Sequence, residues 1–240
     1  MSLRIGLLQC DHVANDLMEA HGNYPEMFEE MLLAEDPNIE MAVYDLTADC
    51  FPVDLSACDG YLITGSQFSV YDDIPWINKA KQLIRELYQE KIPTVGICFG
   101  HQLIAESLGG KVNKATDKGW GVGILAWNTE NDIEWMGENV LDSFSLCASH
   151  QDQVTVLPMD AKLIASSDFC PIAGFQVSDH FLSFQGHPEF SKEYTQALIS
   201  KRIDRIGKVV SDAGIKTLKG SVDSKAVVAW IVGFIKKEAG

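Results

Sequence analysis

Residues 94–102 have the sequence TVGICFGHQ, and two different patterns meet there. Residues 94–97 are mostly apolar, which predicts a buried strand that ends beside Cys98. Residues 103–108 predict a helix that stops at the glycine pair 109–110. Cys98 therefore lies on a sharp turn from strand to helix, where the partial positive charge of the helix N-terminus favours the thiolate. Such a turn is typical of a catalytic nucleophile at the carboxyl edge of a sheet.

The first half of the chain alternates apolar runs with helical patterns. Strands are predicted at residues 3–9, 39–46, 60–64 and 94–98, and helices at residues 24–34 and 77–89. Strands that alternate with helices form right-handed βαβ units and a parallel sheet.

The second half changes character. Short strands are predicted at residues 111–114, 121–127, 154–157, 162–167, 172–176 and 181–185, followed by helices at residues 192–210 and 225–237. The short strands predict a mixed or antiparallel extension of the sheet. No linker is visible, so we expect one α/β domain over residues 1–240. Its core would span about residues 1–190, with a helical C-terminal extension over residues 191–240.

Composition excludes several classes of protein. The chain has 240 residues, 46% of them hydrophobic, which is enough for one sizeable core. Its net charge of −15 argues against binding to nucleic acid, which needs stripes of lysine and arginine. No long apolar run or secretory leader is present, so no membrane contact is expected. Six scattered cysteines favour free thiols in a reducing cytoplasm.

A base for the thiol is available in residues 185–190, QGHPEF. His187 precedes a proline and is therefore extended, so that Glu189 either faces the same side or reaches the imidazole from beside it. The segment follows a predicted strand, as Cys98 does, and the carboxyl ends of parallel strands share one edge of a sheet. Taken alone, His187-Pro188-Glu189 is more typical of a surface turn, and a lone buried cysteine is more typical of packing.

The two segments together resemble class I glutamine amidotransferases. The resemblance rests on residues 96–102 (GICFGHQ), 185–190 (QGHPEF), 63–66 (ITGS) and 149–152 (SHQD), and it covers most of residues 1–190. It is strongest toward glutaminase domains of the GMP synthase type and toward free-standing members related to plant γ-glutamyl peptidases. Residues 21–28 (HGNYPEMF) are similar to that free-standing group. The resemblance implies a flavodoxin-like, mostly parallel sheet with helices on both faces.

The resemblance also implies a catalytic triad of Cys98, His187 and Glu189. Cys98 would attack the carbonyl of a γ-glutamyl group, His187 would move the proton, and Glu189 would orient the imidazole. The product would be a γ-glutamyl thioester that water then hydrolyses. For the oxyanion, the turn itself supplies the N–H of Phe99, and the resemblance implies the N–H of Gly65. Without the family context, Gly65 would fit an ordinary turn after a strand.

Four further residues are candidates for binding the substrate. Gln102 lies one helical turn beyond Cys98, on the same face, and matches the family pattern Cys-x-Gly-x-Gln. Ser149, His150 and Asp152 resemble the loop that holds the α-amino and α-carboxyl groups. Asp152 suits an ammonium group, although an Asp that caps a turn is an equal alternative.

Two other features are weaker candidates. His101 could be mistaken for the base, but its position suggests packing or a place in the substrate lining. A related branch that includes PfpI-like proteases places histidine directly after the cysteine, where this chain has Phe99. The run Cys10-Asp11-His12 could hold a metal, but no further ligands are spaced to join it, and a loop at the mouth of the site fits better. We expect no metal and no cofactor.

Three functions remain open at this level. The first is a glutaminase that passes ammonia to a separate synthetase subunit, since no nucleotide-binding motif is visible. The second is an autonomous γ-glutamyl peptidase for larger γ-glutamyl compounds such as glutathione conjugates. Residues 11–30 and the tail after residue 191 could reshape the mouth for such compounds. The third is a non-enzymatic binding module. The expected small-molecule partner is glutamine or another γ-glutamyl compound.

Overall fold

Residues 2–130, 134–136 and 140–238 are described by a computed structural model. The strands are β1 (Arg4–Gln9), β2 (Glu40–Asp45), β3 (Gly60–Ile63), β4 (Thr94–Ile97), β5 (Lys111–Lys114), β6 (Gly121–Thr129), β7 (Ser143–His150), β8 (Asp152–Val156), β9 (Ala161–Ser166), β10 (Gly174–Val177) and β11 (Phe181–Phe184). The α-helices are α1 (Asn15–His21), α2 (Tyr24–Glu35), α3 (Pro75–Gln89), α4 (Phe99–Ser107), α5 (Lys192–Lys201), α6 (Ile203–Ile206), α7 (Lys208–Thr217) and α8 (Ser224–Glu238). Short 3₁₀ helices lie at Leu46–Ala48, Leu55–Ala57 and Glu134–Met136.

Within this part of the chain, nine strands form one sheet in the order β2-β1-β3-β4-β11-β10-β9-β6-β7. The first five strands in that order are parallel to one another, and each later pair is antiparallel. Strands β5 and β8 form a separate antiparallel pair. The prediction of an α/β fold with a parallel centre and an antiparallel extension is therefore confirmed.

Helices cover both faces of the sheet. On one face, side chains of β1 and β4 pack with those of α2, α5 and α8, including Phe28, Leu198 and Trp230. On the other face, Leu8 of β1 and Tyr61 and Ile63 of β3 pack with α3 and α4. Strands buried on both faces have near-continuous apolar sequences, which explains why β1, β3 and β4 were recognisable as short runs. No helix of the described residues is long and apolar enough to cross a bilayer.

The prediction of one helix over residues 192–210 is wrong. The structure divides this segment into α5, α6 and the start of α7. Gly207 separates α6 from α7 with φ of 90°, a left-handed conformation that ends a helix. The apolar period does not continue beyond it, since Val209 is 83% exposed. The break turns the chain so that α7 packs on β6, where Thr217 Oγ1 accepts a hydrogen bond from Ile124 N at 2.7 Å.

The sequence patterns did not predict helix α1, and they also missed strand β7. Its sequence, SFSLCASH, is rich in small and polar residues. These residues weaken the apolar signal of a strand that lies at the edge of the sheet, where β6 is its one neighbouring strand in the described residues. The consequence is local but important, because two of the predicted substrate-binding residues lie at its end.

Two glycines allow α4 to lie against the central strands. A Cβ on Gly96 would approach Gly100 O to 2.5 Å, and one on Gly100 would approach Ile63 O to 2.6 Å. Both neighbours are backbone atoms of packed elements, so they cannot rotate away. The turn that carries Cys98 is therefore held by close contact between backbones.

We expect Gly100→Ala to lower the free energy of unfolding by about 1–3 kcal/mol, because the added methyl group overpacks α4 against β3. Chemical denaturation measures the change. Gly220→Ala is the matched control, since Gly220 is exposed and its added Cβ would lie 3.2 Å from the nearest atom, Thr217 O. An equal loss in both variants would show that the close approach carries no special cost.

Candidate active site

Cys98 lies between β4 and α4, at the carboxyl edge of the sheet. Its backbone has φ of 53° and ψ of −98°, a conformation that residues other than glycine rarely adopt. The backbone N–H donates to Phe184 O at 2.9 Å, which ties the turn to the end of β11. The residue is 6% exposed. This strained geometry is that of a nucleophile elbow, which holds a side chain above the sheet at the start of a helix.

His187 lies three residues beyond β11 and is 3% exposed. Its backbone N–H donates to Cys147 O on β7 at 2.8 Å. Its ring stacks on Phe190 with 3.8 Å between centroids, and Nδ1 donates to Glu189 Oε1 at 2.7 Å. The thiol of Cys98 lies close enough to the imidazole to interact with it. The structure thus brings together the three residues that the sequence proposed as a triad, with Glu189 beside the imidazole.

The electrostatics of His187 favour the imidazolium. Burial opposes its charge, but the carboxylate of Glu189 and the thiolate form of Cys98 outweigh burial and raise the pKa of His187 to about 10. A protonated His187 can stabilise a thiolate and can donate a proton to a leaving nitrogen.

We expect Glu189→Gln to move the alkaline limb of the activity profile to lower pH. The imidazolium is the required form, and it is lost as pH rises through the pKa of His187. Removing the adjacent negative charge lowers that pKa, by about one to three pH units for an opposite charge in contact. The pH dependence of kcat/KM for a γ-glutamyl substrate measures the displacement.

Glu193→Gln is the control for this substitution, because Glu193 is exposed at the start of α5 and water screens its charge. The alkaline limb of the pH profile of Glu193→Gln should match that of the unmodified chain. An unmoved limb in Glu189→Gln would mean that Glu189 does not set the protonation of His187.

The two predicted oxyanion donors belong to different elements, α4 and the loop after β3. Phe99 is the first residue of α4, so its N–H has no partner within the helix. Gly65 lies in the loop after β3, and a Cβ there would approach His187 Cε1 to 2.8 Å. Only glycine therefore allows this loop to lie against the imidazole. Asp11, two residues beyond β1, holds the same loop, because its carboxylate accepts from Gln67 N at 2.7 Å.

A cavity of about 330 Å³ opens above Cys98. All four predicted substrate-binding residues line it. Gln102 Nε2 donates to Asp152 O at 2.9 Å, and Asp152 Oδ2 accepts from Ser69 Oγ at 2.5 Å. Ser149 Oγ accepts from Arg202 Nη1 at 3.2 Å. These contacts hold the side chains around one common space.

The segment 149–152 forms a tight connection between two strands. Ser149 and His150 end β7, and Asp152 begins β8, with only Gln151 between the strands. His150 Nδ1 donates to Asp152 O at 3.1 Å. Burial lowers the pKa of His150 to about 4, so its imidazole is neutral.

His101 and His12 belong to other networks. The ring of His101 is buried between Ser183 Oγ, at 2.9 Å from Nδ1, and Ile172 O, at 3.2 Å from Nε2. Burial lowers its pKa to about 3 despite the carbonyl of Ile172. His12 Nε2 donates to Asp45 Oδ2 at 2.9 Å. In the described ranges, no three histidine, cysteine or acidic side chains gather as metal ligands do.

Three residues of the site were not assigned a role from the sequence. Gln185 donates to Cys98 Sγ at 3.5 Å and accepts from Gln102. Asp11 steadies the loop of Gly65, and Arg202 reaches into the cavity from the end of α5. Gln185 stood inside the quoted motif and could have been found there. Arg202 had no local signal, because its position depends on the break between α5 and α6.

The site contains the kinds of side chain that cysteine acyl-transfer enzymes use. A thiol, an imidazole and a carboxylate lie buried together at the carboxyl ends of β4 and β11, beside a cavity. Cysteine nucleophiles that form acyl-enzymes use these groups in this order.

Comparison with known proteins gives the family. Residues 22–204 match the family described as glutamine amidotransferase class-I. The chain belongs to this family, as the sequence resemblance predicted.

Individual relatives fall into two groups. γ-Glutamyl peptidase 2 of Arabidopsis thaliana is 31% identical over 86% of this chain and 82% of its own. γ-Glutamyl peptidase 3 of the same plant is 37% identical over 64% of this chain and 61% of its own. A glutamine-hydrolysing GMP synthase of Alkaliphilus metalliredigens is 26% identical over 90% of this chain but only 45% of its own length.

Among solved structures, a glutamine amidotransferase from Thermotoga maritima superimposes with a TM-score of 0.74. It is 19% identical and covers 100% of this chain and 98% of its own. The likeness confirms the predicted flavodoxin-like fold of this family.

Proposed function

We propose that this chain hydrolyses γ-glutamyl amide bonds through a thioester on Cys98. The observation that carries the proposal is the buried contact of Cys98, His187 and Glu189 beneath an open cavity. The family supports it, because both groups of relatives are named for reactions at a glutamine or γ-glutamyl group. We also propose that residues 1–240 form one amidotransferase-like domain.

The proposed reaction has two halves. The Cys98 thiolate attacks the γ-carbonyl carbon, and the oxyanion faces the N–H groups of Gly65 and Phe99. His187 gives its proton to the nitrogen as the C–N bond breaks, which leaves the γ-glutamyl thioester. A water molecule then attacks, His187 takes its proton, and the C–S bond breaks to release glutamate. Glu189 keeps the imidazole oriented throughout.

The nature of the leaving nitrogen separates two versions of this function. With glutamine the leaving group is ammonia, and a separate synthetase subunit would receive it. With a γ-glutamyl peptide the leaving group is an amino acid or peptide, and no partner is needed. Six free thiols support a reducing, cytoplasmic setting for either version.

Trapping the acyl-enzyme tests the shared chemistry. Acid quench during turnover, followed by mass spectrometry of the peptide that contains Cys98, should show the added mass of a γ-glutamyl group. Glutamine and a γ-glutamyl dipeptide are the two substrates to compare. Absence of the adduct with both, in a folded sample whose Cys98 also resists diazo-oxo-norleucine, would overturn the proposal and favour a binding module.

A further inference from the structure

Three basic side chains line the cavity above Cys98: Lys114 at the end of β5, Arg202 after α5 and Arg205 in α6. None of them forms an ion pair with a carboxylate of the described residues. The chain as a whole carries a net charge of −15, so a cluster of cations at this one cavity runs against its average. An unpaired cationic cluster beside a nucleophile is suited to an anionic group of a ligand.

The acidic residues of the cavity do not neutralise this cluster. Asp72 Oδ2 accepts from Ser69 N at 2.9 Å, and Asp152 Oδ2 accepts from Ser69 Oγ at 2.5 Å. Both carboxylates are thus held by the loop after β3, on the wall of the cavity that Gln102 also contacts through Asp152 O. Arg202 and Arg205 come from other elements of the fold, whereas Lys114 lies opposite Asp152 in the β5–β8 pair.

Arg202 lies on the imidazole side of the cavity. Its Nη1 donates to Ser149 Oγ at 3.2 Å, and its charge acts on the phenols of Tyr24 and Tyr194. Tyr194 packs on Phe190 with 4.7 Å between ring centroids, and Phe190 stacks on His187. Because His187 is the proton donor to the leaving nitrogen, the group attached to that nitrogen extends toward this side.

Arg205 continues the same surface outward. Its guanidinium lies over the ring of Trp120, 5.0 Å from the centroid, which limits its orientations. Lys114 is exposed on another side of the cavity. Arginine binds a carboxylate through two parallel hydrogen bonds, whereas lysine acts as a point charge. The half-buried Arg202 is therefore the principal contact, and the two exposed cations contribute less.

We propose that Arg202, flanked by Arg205 and Lys114, forms a subsite for a carboxylate on the leaving group. The preferred substrates are then γ-glutamyl amino acids or peptides with a free carboxylate. This inference rests on the proposed function and selects one version of it. Glutamine releases ammonia, which carries no anion and leaves the subsite empty.

The experiment compares glutamine, γ-glutamylalanine and γ-glutamylalanine amide as substrates of the full chain. The last two differ only in the charge of the terminal group. We expect kcat/KM for the free acid to exceed that for the amide by about tenfold to a hundredfold, the range of a hydrogen-bonded charge. Equal rates for the acid and the amide would overturn the proposal.

Substitution then locates the effect. Arg202→Gln should remove most of the preference for the free acid, so that kcat/KM for γ-glutamylalanine falls by about tenfold more than kcat/KM for glutamine. Arg205→Gln combined with Lys114→Gln should reduce the preference less. Arg85→Gln is the control, because Arg85 is exposed on α3 and lies outside the cavity.

The outcomes are distinct. If Arg202→Gln lowers kcat/KM for glutamine as much as it lowers kcat/KM for γ-glutamylalanine, Arg202 acts on the glutamyl group and the subsite is refuted. If Arg202→Gln does not fold, the double variant carries the same test.

If the unmodified chain cleaves none of the three compounds, the proposed function fails, and the subsite is judged by calorimetry on Cys98→Ala. Tighter binding of the free acid than of the amide would support the subsite, and equal binding would refute it.

Discussion

Cys98→Ser should reduce the hydrolysis of any γ-glutamyl substrate by about 10⁴-fold or more, the scale on which the loss of an active-site nucleophile is felt. A hydroxyl at this position has the same geometry but far weaker acidity than a thiol. The partial charge at the start of α4 and the imidazolium of His187 therefore cannot maintain it as an anion. The release of glutamate measures the loss.

The fold of Cys98→Ser should be retained, because the hydrogen bond from the backbone N–H of residue 98 to Phe184 O does not depend on the side chain. Cys147→Ser is a comparison at another buried thiol. Cys147 is fully buried and approaches Thr195, so this change is expected to affect stability more than turnover. Substantial hydrolysis by Cys98→Ser would show that another group carries the reaction.

His187→Asn should have the second large effect, a fall in kcat/KM of about 10⁴-fold. The amide can keep a hydrogen bond to Glu189, but it cannot hold or deliver a proton. It also cannot stabilise the thiolate. Alkylation of Cys98 by iodoacetamide at pH 6.5 should therefore slow by about tenfold or more, toward the rate of an ordinary thiol.

His101→Asn separates this role from that of a neighbouring histidine. Its ring lies among Ser183, Ile172 and Phe175 in the interior. We expect a lower melting temperature with an unchanged pH profile of alkylation. A shift of that profile in His101→Asn, with none in His187→Asn, would exchange the two assignments.

Much of the parallel half of the fold could be predicted from the sequence, because its strands are buried on both faces and leave apolar runs. The position of Cys98 followed from the change of pattern at residues 97–99. The antiparallel edge was harder, since β7 carries small and polar residues. The break between α6 and α7 could not be found from the apolar period, because Gly207 acts through backbone conformation.

The candidate site divides in the same way. Residues within motifs, such as His187 and Gln102, could be proposed from local spacing. Asp11 and Arg202 could not, because each reaches the site through tertiary packing. Asp11 touches a loop that is 56 positions away in sequence. Arg202 is placed by the path of the chain after α5.

The bond between His187 N–H and Cys147 O has a mechanical consequence. It ties the backbone of His187 to β7, which is an edge strand of the sheet in the described residues. The end of β7 also carries Ser149. The outward backbone groups of β7 are already used, because Asp223 bonds both the N–H and the C=O of Ser145, next to the bond from His187 to Cys147. Asp223 lies just before α8, so a substitution there would loosen the strand that holds the backbone of His187. The segment before α8 is thus a remote brace through which an engineer could tune this chemistry without entering the cavity.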